Sequence, residues 1–224
     1  MTRKPVRKSQ KSASPQDAPA HGSRIARRNV AKILAAAETV FAETGLHGAT
    51  VDEIARRAGI SKSNLHYYFR TKRDLYVAVL QNTLEVWTAS LAKLDPKGDP
   101  RTELTAYISE KLDMAMRHPT ASRVFANEIL HGAPLIKDYL KTNLRALVRE
   151  KGRVLERWIA EGRLRPIEPV HLIFLIWAAT QHYADFLPQV RAVLGVRAIS
   201  AAQFQQIRTS LCDVILNGAL ARGE

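Results

Sequence analysis

The spacing of apolar residues restricts the fold more than any other feature of the chain, because they recur every three or four positions along most of it. Near the N-terminus they stand at Val30, Ile33, Leu34, Ala37, Val40 and Phe41. This period places apolar side chains on one face of an α-helix, whereas strands alternate with a period of two. No such alternation and no internal repeat is visible in the sequence. The pattern therefore predicts an all-α protein with about nine helices.

Capping and helix-breaking residues predict where these helices begin and end. The first helix should end before Gly45. Thr50-Val-Asp-Glu53 has the capping-box pattern, and Gly59 should stop the helix that it opens. Asp99-Pro100 is a typical helix start. Together these signals predict helices over about 51–58, 61–67, 72–92, 100–118, 121–131, 134–162, 170–187 and 200–220.

The charge of the chain is unevenly distributed. The formal net charge is +13, from 34 Lys and Arg against 21 Asp and Glu. Residues 1–76 contain 15 basic and 6 acidic side chains, whereas residues 77–224 contain 19 and 15. The basic N-terminal third indicates a polyanion as partner. A surface kept soluble by Lys and Arg is the alternative on charge alone.

Other features indicate a soluble cytoplasmic protein without a membrane span. Cys212 is the only cysteine, so no intrachain disulfide can form and a reducing compartment fits. The longest apolar run, LIFLIWAA at 172–179, is much shorter than the roughly 20 residues that cross a bilayer. Residues 1–23 are basic, are followed by no apolar stretch and are predicted to form a flexible tail.

Three short helices with a glycine turn between the second and third form a helix-turn-helix pattern. Ala55, Gly59 and Leu65 are the small and apolar residues that would let the helices approach. Polar side chains then remain for the outer face of the second motif helix and for the neighbouring helix ends, where they suit base edges and phosphates. The candidate DNA-binding residues are Arg27, Arg28, Thr50, Lys62, Ser63, Asn64, His66, Tyr67 and Lys72.

The run TVDEIARRAGISKSNLHYYFRTKRDLY (50–76) resembles, over its whole length, the signature of the TetR family of regulators. The resemblance implies a DNA-binding domain at 24–71 and a helical ligand-binding and dimerisation domain at 72–224. It also implies a ligand-responsive repressor. Since one short helix cannot supply specific affinity, we expect a homodimer on a near-palindromic double-stranded operator.

Two stretches of the C-terminal part, residues 107–136 and 171–190, resemble the pyrimidine-responsive regulators of this family. This resemblance implies uracil or thymine as the effector, and control of genes for pyrimidine degradation and nitrogen metabolism. No cofactor is expected. A different small planar metabolite or a drug-like compound is the alternative effector.

A candidate pocket follows from the residues themselves. Trp177, Gln181 and Asp185 are spaced i, i+4, i+8 and share one helix face. A flat base needs aromatic walls and a matched amide, which Trp87, Trp177 and Gln181 could supply. The other candidates for the lining are Phe125, Glu128 and Tyr183. The alternative is that both tryptophans are packing residues and that Gln181 satisfies a neighbouring backbone group. Asp185 could accept a ring N–H or equally pair with Arg123 or Lys111. Residues 172–179 are apolar all round, which predicts burial on more than one side.

The last predicted helix carries an apolar stripe that we expect at the dimer interface together with the helix at 170–187. The stripe consists of Phe204, Ile207, Leu211, Val214 and Ile215. An intramolecular core is the alternative for this stripe, and Cys212 beside it is expected to pack rather than to react.

The sequence contains no complete motif of a catalytic or metal-binding site. Glu128-Ile-Leu-His131 fits the Glu-x-x-His pair of di-iron bundles, but no second pair occurs. His182 and Asp185 lack an assignable third metal ligand. No phosphate-binding glycine loop or nucleophile motif is present. We therefore predict neither a catalytic nor a metal site. An architectural DNA binder would not explain the nearly neutral C-terminal part.

Overall fold

The structure, a computed structural model, describes residues 20–221 and their side chains from Arg24 onward. Residues 1–19, most of the predicted tail, lie outside the described residues. The chain forms these helices in order: α1 (Ala20–Gly48), α2 (Val51–Ala58), α3 (Lys62–Tyr68), α4 (Lys72–Ala92), α5 (Pro100–Arg117), α6 (Pro119–Leu130), α7 (Lys137–Tyr139), α8 (Arg145–Ala160), α9 (Pro169–Asp185), α10 (Leu187–Leu194) and α11 (Ala201–Ala219). A π-helical segment, Leu140–Leu144, joins α7 to α8.

The all-α prediction is confirmed. Over residues 20–221 the only β-type pairing is an isolated bridge between Leu164 and Leu220. Within the same range, no helix has the length and apolar character needed to cross a membrane.

Local capping explains why the predicted boundaries of α2, α3 and α4 agree with the structure. The Thr50 side chain accepts the Glu53 N–H at 3.2 Å and begins α2. Thr71 and Asp74 form a complete capping box at the start of α4. At α2 the box is only half formed, because the Glu53 carboxylate binds Arg56 and Arg57 instead.

Three boundaries differ from the prediction. Helix α1 begins at Ala20, inside the predicted tail, and its backbone is non-helical at Gly45, with φ 69° and ψ 176°. The helix expected from Pro134 begins at Lys137. Helix α10 was not predicted separately. One residue, Phe186, separates it from α9. Pro188 lies in its first turn, and Gly195 caps it in the left-handed conformation.

Two hydrophobic clusters form the core. The first unites α1–α4 with α6 and includes Phe41, Ile54 and Leu65. The second unites α5, α8, α9 and α11 with the end of α4. Helix α4 contributes Leu84 to the first cluster and Leu91 to the second, with buried Trp87 between them. A displacement of α4 would therefore shift residues in both clusters, since close-packed interiors transmit strain.

Candidate nucleic-acid interface and effector site

The turn between α2 and α3 depends on Gly59, whose φ of 67° and ψ of 37° lie in the left-handed region. Its N–H donates to the Arg56 carbonyl at 3.2 Å, and the Ile60 N–H donates to the Ala55 carbonyl at 3.1 Å. Ser61 then caps α3 by accepting the Asn64 N–H at 3.1 Å. These contacts fix the direction in which α3 leaves the turn.

Helix α3 buries Leu65 completely and turns its polar residues outward. Lys62, Ser63, His66 and Tyr67 are exposed, and Asn64 is half-buried. Tyr67 is 81% exposed, which is unusual for so large an aromatic side chain. The outer face thus presents hydrogen-bonding groups together with one large uncovered ring.

The polar groups of this face are held loosely. Lys62 Nζ lies 2.8 Å from Asp52 Oδ2 in an exposed ion pair, which DNA phosphates could replace at little cost. The Ser63 and Ser61 hydroxyls are 3.1 Å apart, and His66 Nδ1 is 3.2 Å from the Arg70 carbonyl. On α1, Arg27 and Arg28 are exposed.

Lys72 is more constrained than the sequence suggested. Its ammonium donates to the His47 carbonyl at 3.2 Å and to the Ala49 carbonyl at 2.7 Å, which ties the end of α1 to the start of α4. An ammonium has three donors, so one remains for a phosphate.

A second group of predicted residues gathers around Lys111, which is only 4% exposed. Its Nζ lies 4.6 Å from the centroid of the Trp87 ring and 5.9 Å from that of Trp177. Among the described residues this ammonium has no hydrogen-bond or ion-pair partner. The fully buried side-chain polar atom without a partner is Arg208 Nε, so the Lys111 nitrogen keeps some accessible surface. Burial lowers the pKa of Lys111 to about 7, although the nearby Asp185 carboxylate acts in the opposite direction.

Asp185 belongs to the same group, which we call the Lys111 cluster: Tyr107, Lys111, Ser122, Trp87, Trp177 and Asp185. The Ser122 hydroxyl donates to the Asp185 carboxylate. Burial raises the pKa of Asp185, whereas the Ser122 hydrogen bond, Lys111 and His182 act to lower it. Trp177 Nε1 donates to the Tyr107 hydroxyl at 2.6 Å, which fixes the plane of the indole ring.

Sequence analysis identified Lys111 only as an alternative partner of Asp185, and it did not identify Tyr107 or Ser122. Of the two alternatives for Asp185, Lys111 is the nearby charge, and Arg123 is exposed. The sequence feature that could have identified this site is Lys111, a single lysine among the apolar positions of α5.

Of the other candidates for the ligand site, Phe125, Gln181 and Tyr183 lie near the Lys111 cluster, whereas Glu128 does not. Phe125 packs edge-on against Trp87, with ring centroids 5.4 Å apart. Gln181 is half-buried one turn before Asp185, and Tyr183 is half-buried beside His182. Glu128 is not in the cluster.

Glu128 is instead a structural residue in the first hydrophobic cluster. Its Oε1 accepts the Leu135 N–H at 2.7 Å. Burial, followed by the effect of the Glu128 carboxylate, raises the pKa of Tyr76 to about 12. His131 is exposed, with Nδ1 2.7 Å from the Asn127 carbonyl. No set of three His, Cys, Asp or Glu residues in the described chain could hold a metal ion.

Two cavities adjoin these residues. One of about 380 Å³, which we call the α1 cavity, lies between α1, α4 and the start of α6 and has Trp87 in its wall. A larger cleft of about 780 Å³ lies between the end of α1, the start of α4 and α6, with Glu128 in its wall. Both volumes are within the range of small-molecule sites, about 300–1,000 Å³.

The predicted dimer stripe is divided between two faces of α11. Ile215 is 4% exposed inside the second hydrophobic cluster, and Leu211 packs against that cluster. The assignment of Ile215 to an intermolecular surface is therefore corrected, because this residue fills the core of its own chain. Leu211 is half-buried against that core. Val214 is 75% exposed, whereas Phe204 and Ile207 are half-buried. Cys212 is buried in the second cluster, as expected.

Helix α9 is also less enclosed than expected. Phe174 and Leu175 are about half exposed, and so is Phe186 at its end. The apolar run at 172–179 is thus buried on one side of the single chain and uncovered on the other.

Comparison with known proteins agrees with this architecture. Residues 33–79 match the family model described as bacterial regulatory proteins, tetR family, and residues 80–222 match that of the YcdC-like protein, C-terminal region. The chain belongs to the TetR family. It is accordingly a TetR-family transcriptional regulator and not an enzyme.

Several TetR-family proteins match over most of the chain. The HTH-type transcriptional regulator RutR of Escherichia coli (strain K12) is 44% identical over 190 residues, which cover 85% of this chain and 90% of the relative. The HTH-type transcriptional repressor NicS of Pseudomonas putida is 31% identical over 134 residues, covering 59% and 62%.

Solved structures of transcriptional regulators have the same fold. The transcriptional regulator SCO4942 from Streptomyces coelicolor superimposes with a TM-score of 0.67 at 27% identity, covering 84% of this chain and 97% of that one. The regulator KstR2 of Mycobacterium tuberculosis gives 0.64 at 21% identity, covering 88% and 96%, and shows the fold alone.

Proposed function

We propose that this regulator is a cytoplasmic homodimeric repressor of pyrimidine-degradation and nitrogen-metabolism genes, and that uracil or thymine changes its affinity for the operator. The observation that carries the effector assignment is the buried Lys111 ammonium between two indole rings. A buried charge without a hydrogen-bond acceptor is costly, and a ligand that supplies the acceptor removes part of that cost.

A pyrimidine dione fits the chemistry of the Lys111 cluster. Its ring alternates N–H donors with carbonyl acceptors. Asp185 could accept a ring N–H while Lys111 donates to the adjacent carbonyl oxygen. Trp87 and Trp177 supply the aromatic surfaces for a flat ring, and Gln181 adds a donor and an acceptor one turn away. The resemblance of residues 107–136 and 171–190 to pyrimidine-responsive regulators supports the same ligand.

The DNA half of the proposal assigns reading and anchoring to different residues. Lys62, Ser63, Asn64 and His66 on α3 would contact base edges in the major groove. Tyr67, Thr50, Lys72 and the α1 arginines would contact phosphates, which position the protein without reading sequence. We assign residues 24–71 to this DNA-binding domain and residues 72–224 to effector binding and dimerisation.

A second copy of the chain would cover the uncovered apolar face of α9 and Val214 on α11. Single exposed apolar residues are ordinary, but Phe174 and Leu175 on α9 and Phe186 at its C-terminal end are three large apolar side chains exposed on one helix. A two-fold dimer would place two α3 helices on half-sites about one helical turn, or a multiple of it, apart.

The effector could act through α4, because this helix contributes to both hydrophobic clusters. A ligand between α4 and α9 would favour one tilt of α4 and so one spacing of the α3 helices. The ligand changes operator affinity only if it binds more tightly to one spacing of the α3 helices than to the other. The change in binding free energy is typically about 1–3 kcal/mol.

Another planar metabolite or a drug-like compound is the second candidate effector. The 780 Å³ cleft supports it, because that volume exceeds the need of a single pyrimidine ring.

Calorimetric titration of the purified protein with uracil, thymine, cytosine and uridine tests the effector. We expect saturable binding of uracil or thymine, and weaker binding of cytosine, which lacks the dione pattern. Binding should be lost in Lys111→Met and weakened in Gln181→Ala. Lys151→Met is the matched control, since Lys151 is also buried but lies outside the cluster and donates to the Leu94 carbonyl. No heat with any pyrimidine would reject this effector and leave the DNA-binding assignment untouched.

A further inference from the structure

Helix α8 and the segment before it carry a basic residue at every fourth position. The row begins in α7, continues through the π-helical segment and ends with four arginines in α8. Residues four apart form one ridge on a helix surface. All the basic side chains of this ridge are exposed. We call the ridge the basic stripe: Lys137, Lys141, Arg145, Arg149, Arg153 and Arg157.

Neighbouring carboxylates do not balance the basic stripe. Among residues 24–221, none of its six side chains forms an ion pair, whereas Arg56 and Lys62 of the helix-turn-helix unit do. Residues 137–157 contain seven basic and three acidic side chains, an excess as large as that of the whole segment 77–224. Like charges four residues apart repel each other, and a surface that only has to be soluble intersperses the two signs. The stripe therefore indicates an anionic partner.

The surface around the stripe offers no apolar anchor. Between residues 131 and 173, all of which the structure describes, no large apolar side chain is exposed. Protein interfaces depend on aromatic and aliphatic anchors, and membrane surfaces take up apolar side chains. DNA phosphates need only charge and hydrogen bonds. Four of the six residues are arginines, whose planar guanidinium can bind a phosphate through two parallel hydrogen bonds.

The stripe leads away from the helix-turn-helix unit. At its start, Tyr139 and Leu140 pack against the first hydrophobic cluster, which contains residues of α1–α3. At its end, Trp158 Nε1 donates to the Pro96 carbonyl at 3.2 Å, beyond the C-terminus of α4. Twenty residues of helix span about 30 Å. The arginines of α8 thus lie progressively farther from the half-site that α3 would read, and a separate DNA segment is the phosphate source that they would meet.

We propose that the basic stripe is a second, sequence-independent DNA-binding surface, through which the regulator on its operator holds another duplex segment. DNA carries one negative charge per about 1.7 Å of its axis, so a stripe of about 30 Å would face phosphates along its whole length. Operator binding keeps this surface close to neighbouring DNA, which raises the effective concentration of the second segment. The inference goes beyond the proposed function and does not depend on the effector.

The test compares the full-length wild type with two variants that have lost the same charge. The stripe variant replaces the α8 arginines by glutamine, which also has a high helix propensity. It carries Arg145→Gln, Arg149→Gln, Arg153→Gln and Arg157→Gln. The matched control removes four exposed arginines scattered over the rest of the core domain. It carries Arg101→Gln, Arg123→Gln, Arg191→Gln and Arg197→Gln. Circular dichroism checks that both variants are folded.

Each protein is first saturated with an unlabelled operator duplex that the wild type has selected from random DNA, and its operator Kd is recorded. A fluorescent duplex of unrelated sequence, long enough to span the stripe, is then added. Its anisotropy gives the Kd of the second duplex at several salt concentrations. Saturating operator keeps the labelled duplex off the α3 helices, because specific binding is typically about 10³- to 10⁷-fold tighter.

For the wild type we expect a second-duplex Kd of about 10⁻⁴–10⁻⁶ M near physiological salt, the usual range of non-specific binding. If all six side chains contact phosphates, the logarithm of the binding constant should fall with the logarithm of salt concentration with a slope of about −5. The stripe variant should show a slope of about −2 and bind at least about 10-fold more weakly, whereas the control should stay within about 3-fold of the wild type.

Each outcome decides the inference. A second duplex that the stripe variant loses and the control keeps supports it. Equal losses in both variants would show attraction by net charge alone and overturn it. A wild-type complex that takes up no second duplex also overturns it, and stripe-dependent binding of poly-L-glutamate would then identify an acidic protein as the partner. Failure to select any operator contradicts the proposed DNA reading by α3. The stripe is then tested on the free protein, where the stripe variant must still bind random duplex more weakly than the control.

Discussion

Replacing Lys111 by methionine should make the protein more stable at pH 7 while abolishing uracil binding. Lys111 is buried between Trp87 and Trp177 without a hydrogen-bond acceptor in the described structure, and its pKa falls from 10.5 to about 7. A methionine of similar length would fill the same space and remove the desolvated charge. Thioether contacts with aromatic rings are themselves favourable, by about 0.3–1.5 kcal/mol.

The magnitude follows from the two pKa values. In the unfolded chain the lysine keeps its proton up to about pH 10.5, but in the folded protein only up to about pH 7. The difference disfavours the folded state by roughly 4 kcal/mol at pH 7. The attraction of Asp185 is already contained in the folded value. Loss of the cation–π contacts offsets about 2 kcal/mol, so the net gain should be roughly 2–3 kcal/mol.

The pH dependence has a definite sign. Between pH 7 and 10.5 the unfolded chain binds more protons at Lys111 than the folded chain, so wild-type stability should rise with pH through this window. Methionine has no proton to lose. The advantage of Lys111→Met should therefore shrink by roughly 2 kcal/mol between pH 7 and pH 9.

Urea unfolding followed by circular dichroism measures both quantities. The two proteins must be compared at one concentration, because dimerisation adds to apparent stability. Lys151→Met is the control, and it should be destabilised by about 1–3 kcal/mol because it leaves the Leu94 carbonyl unpaired. The reasoning fails if Lys111→Met is less stable than wild type at pH 7, or if the gap stays constant up to pH 9.

Three further outcomes are expected. Uracil binding should be roughly 30-fold weaker at pH 8.5 than at pH 6, since few Lys111 side chains remain protonated there; calorimetry at both pH values checks this. Asn64→Ala should reduce the preference for operator over random duplex about 10-fold. Lys72→Ala should weaken binding to operator and to random duplex alike. It should also lower the Tm, because the Lys72 ammonium donates to two backbone carbonyls. Equal losses on both DNAs in both variants would contradict this division. Val214→Asp should yield a folded monomer by light scattering, whereas Ile215→Asp should lose its helical circular dichroism; a dimeric Val214→Asp would exclude this face of α11.

The sequence predicted the helix-turn-helix geometry well because its determinants are local. Thr50, Ser61 and Thr71 each cap the helix that follows within three residues, and Gly59 supplies the left-handed turn. Such signals need no knowledge of distant contacts. Helix α10 was missed because it has only eight residues, too few for a clear period, and follows α9 almost without a break.

The proposed effector site was harder to predict because its residues come from distant parts of the chain. Periodicity places Trp177 and Asp185 on one face of α9, but it does not say that Lys111 of α5 and Ser122 of α6 meet that face. For the same reason it did not separate Glu128, which lines the other cleft, from the residues of the Lys111 cluster, and it placed Ile215 on the surface. A helical period identifies which residues share a face and leaves open what that face contacts.

The contrast between the two buried lysines supports the proposal that the Lys111 cluster is a binding site. Lys151 is buried with a carbonyl partner and so contributes to structure. Lys111 has no such partner and costs stability at pH 7. A ligand present at 100 times its Kd would stabilise the wild-type protein by about 2.7 kcal/mol. Lys111→Met should therefore gain, without ligand, about the stability that the wild-type protein reaches only when its effector is bound. The stability lost by keeping Lys111 is thus about the stability regained when the ligand binds, which is expected where function, and not stability, retains a residue.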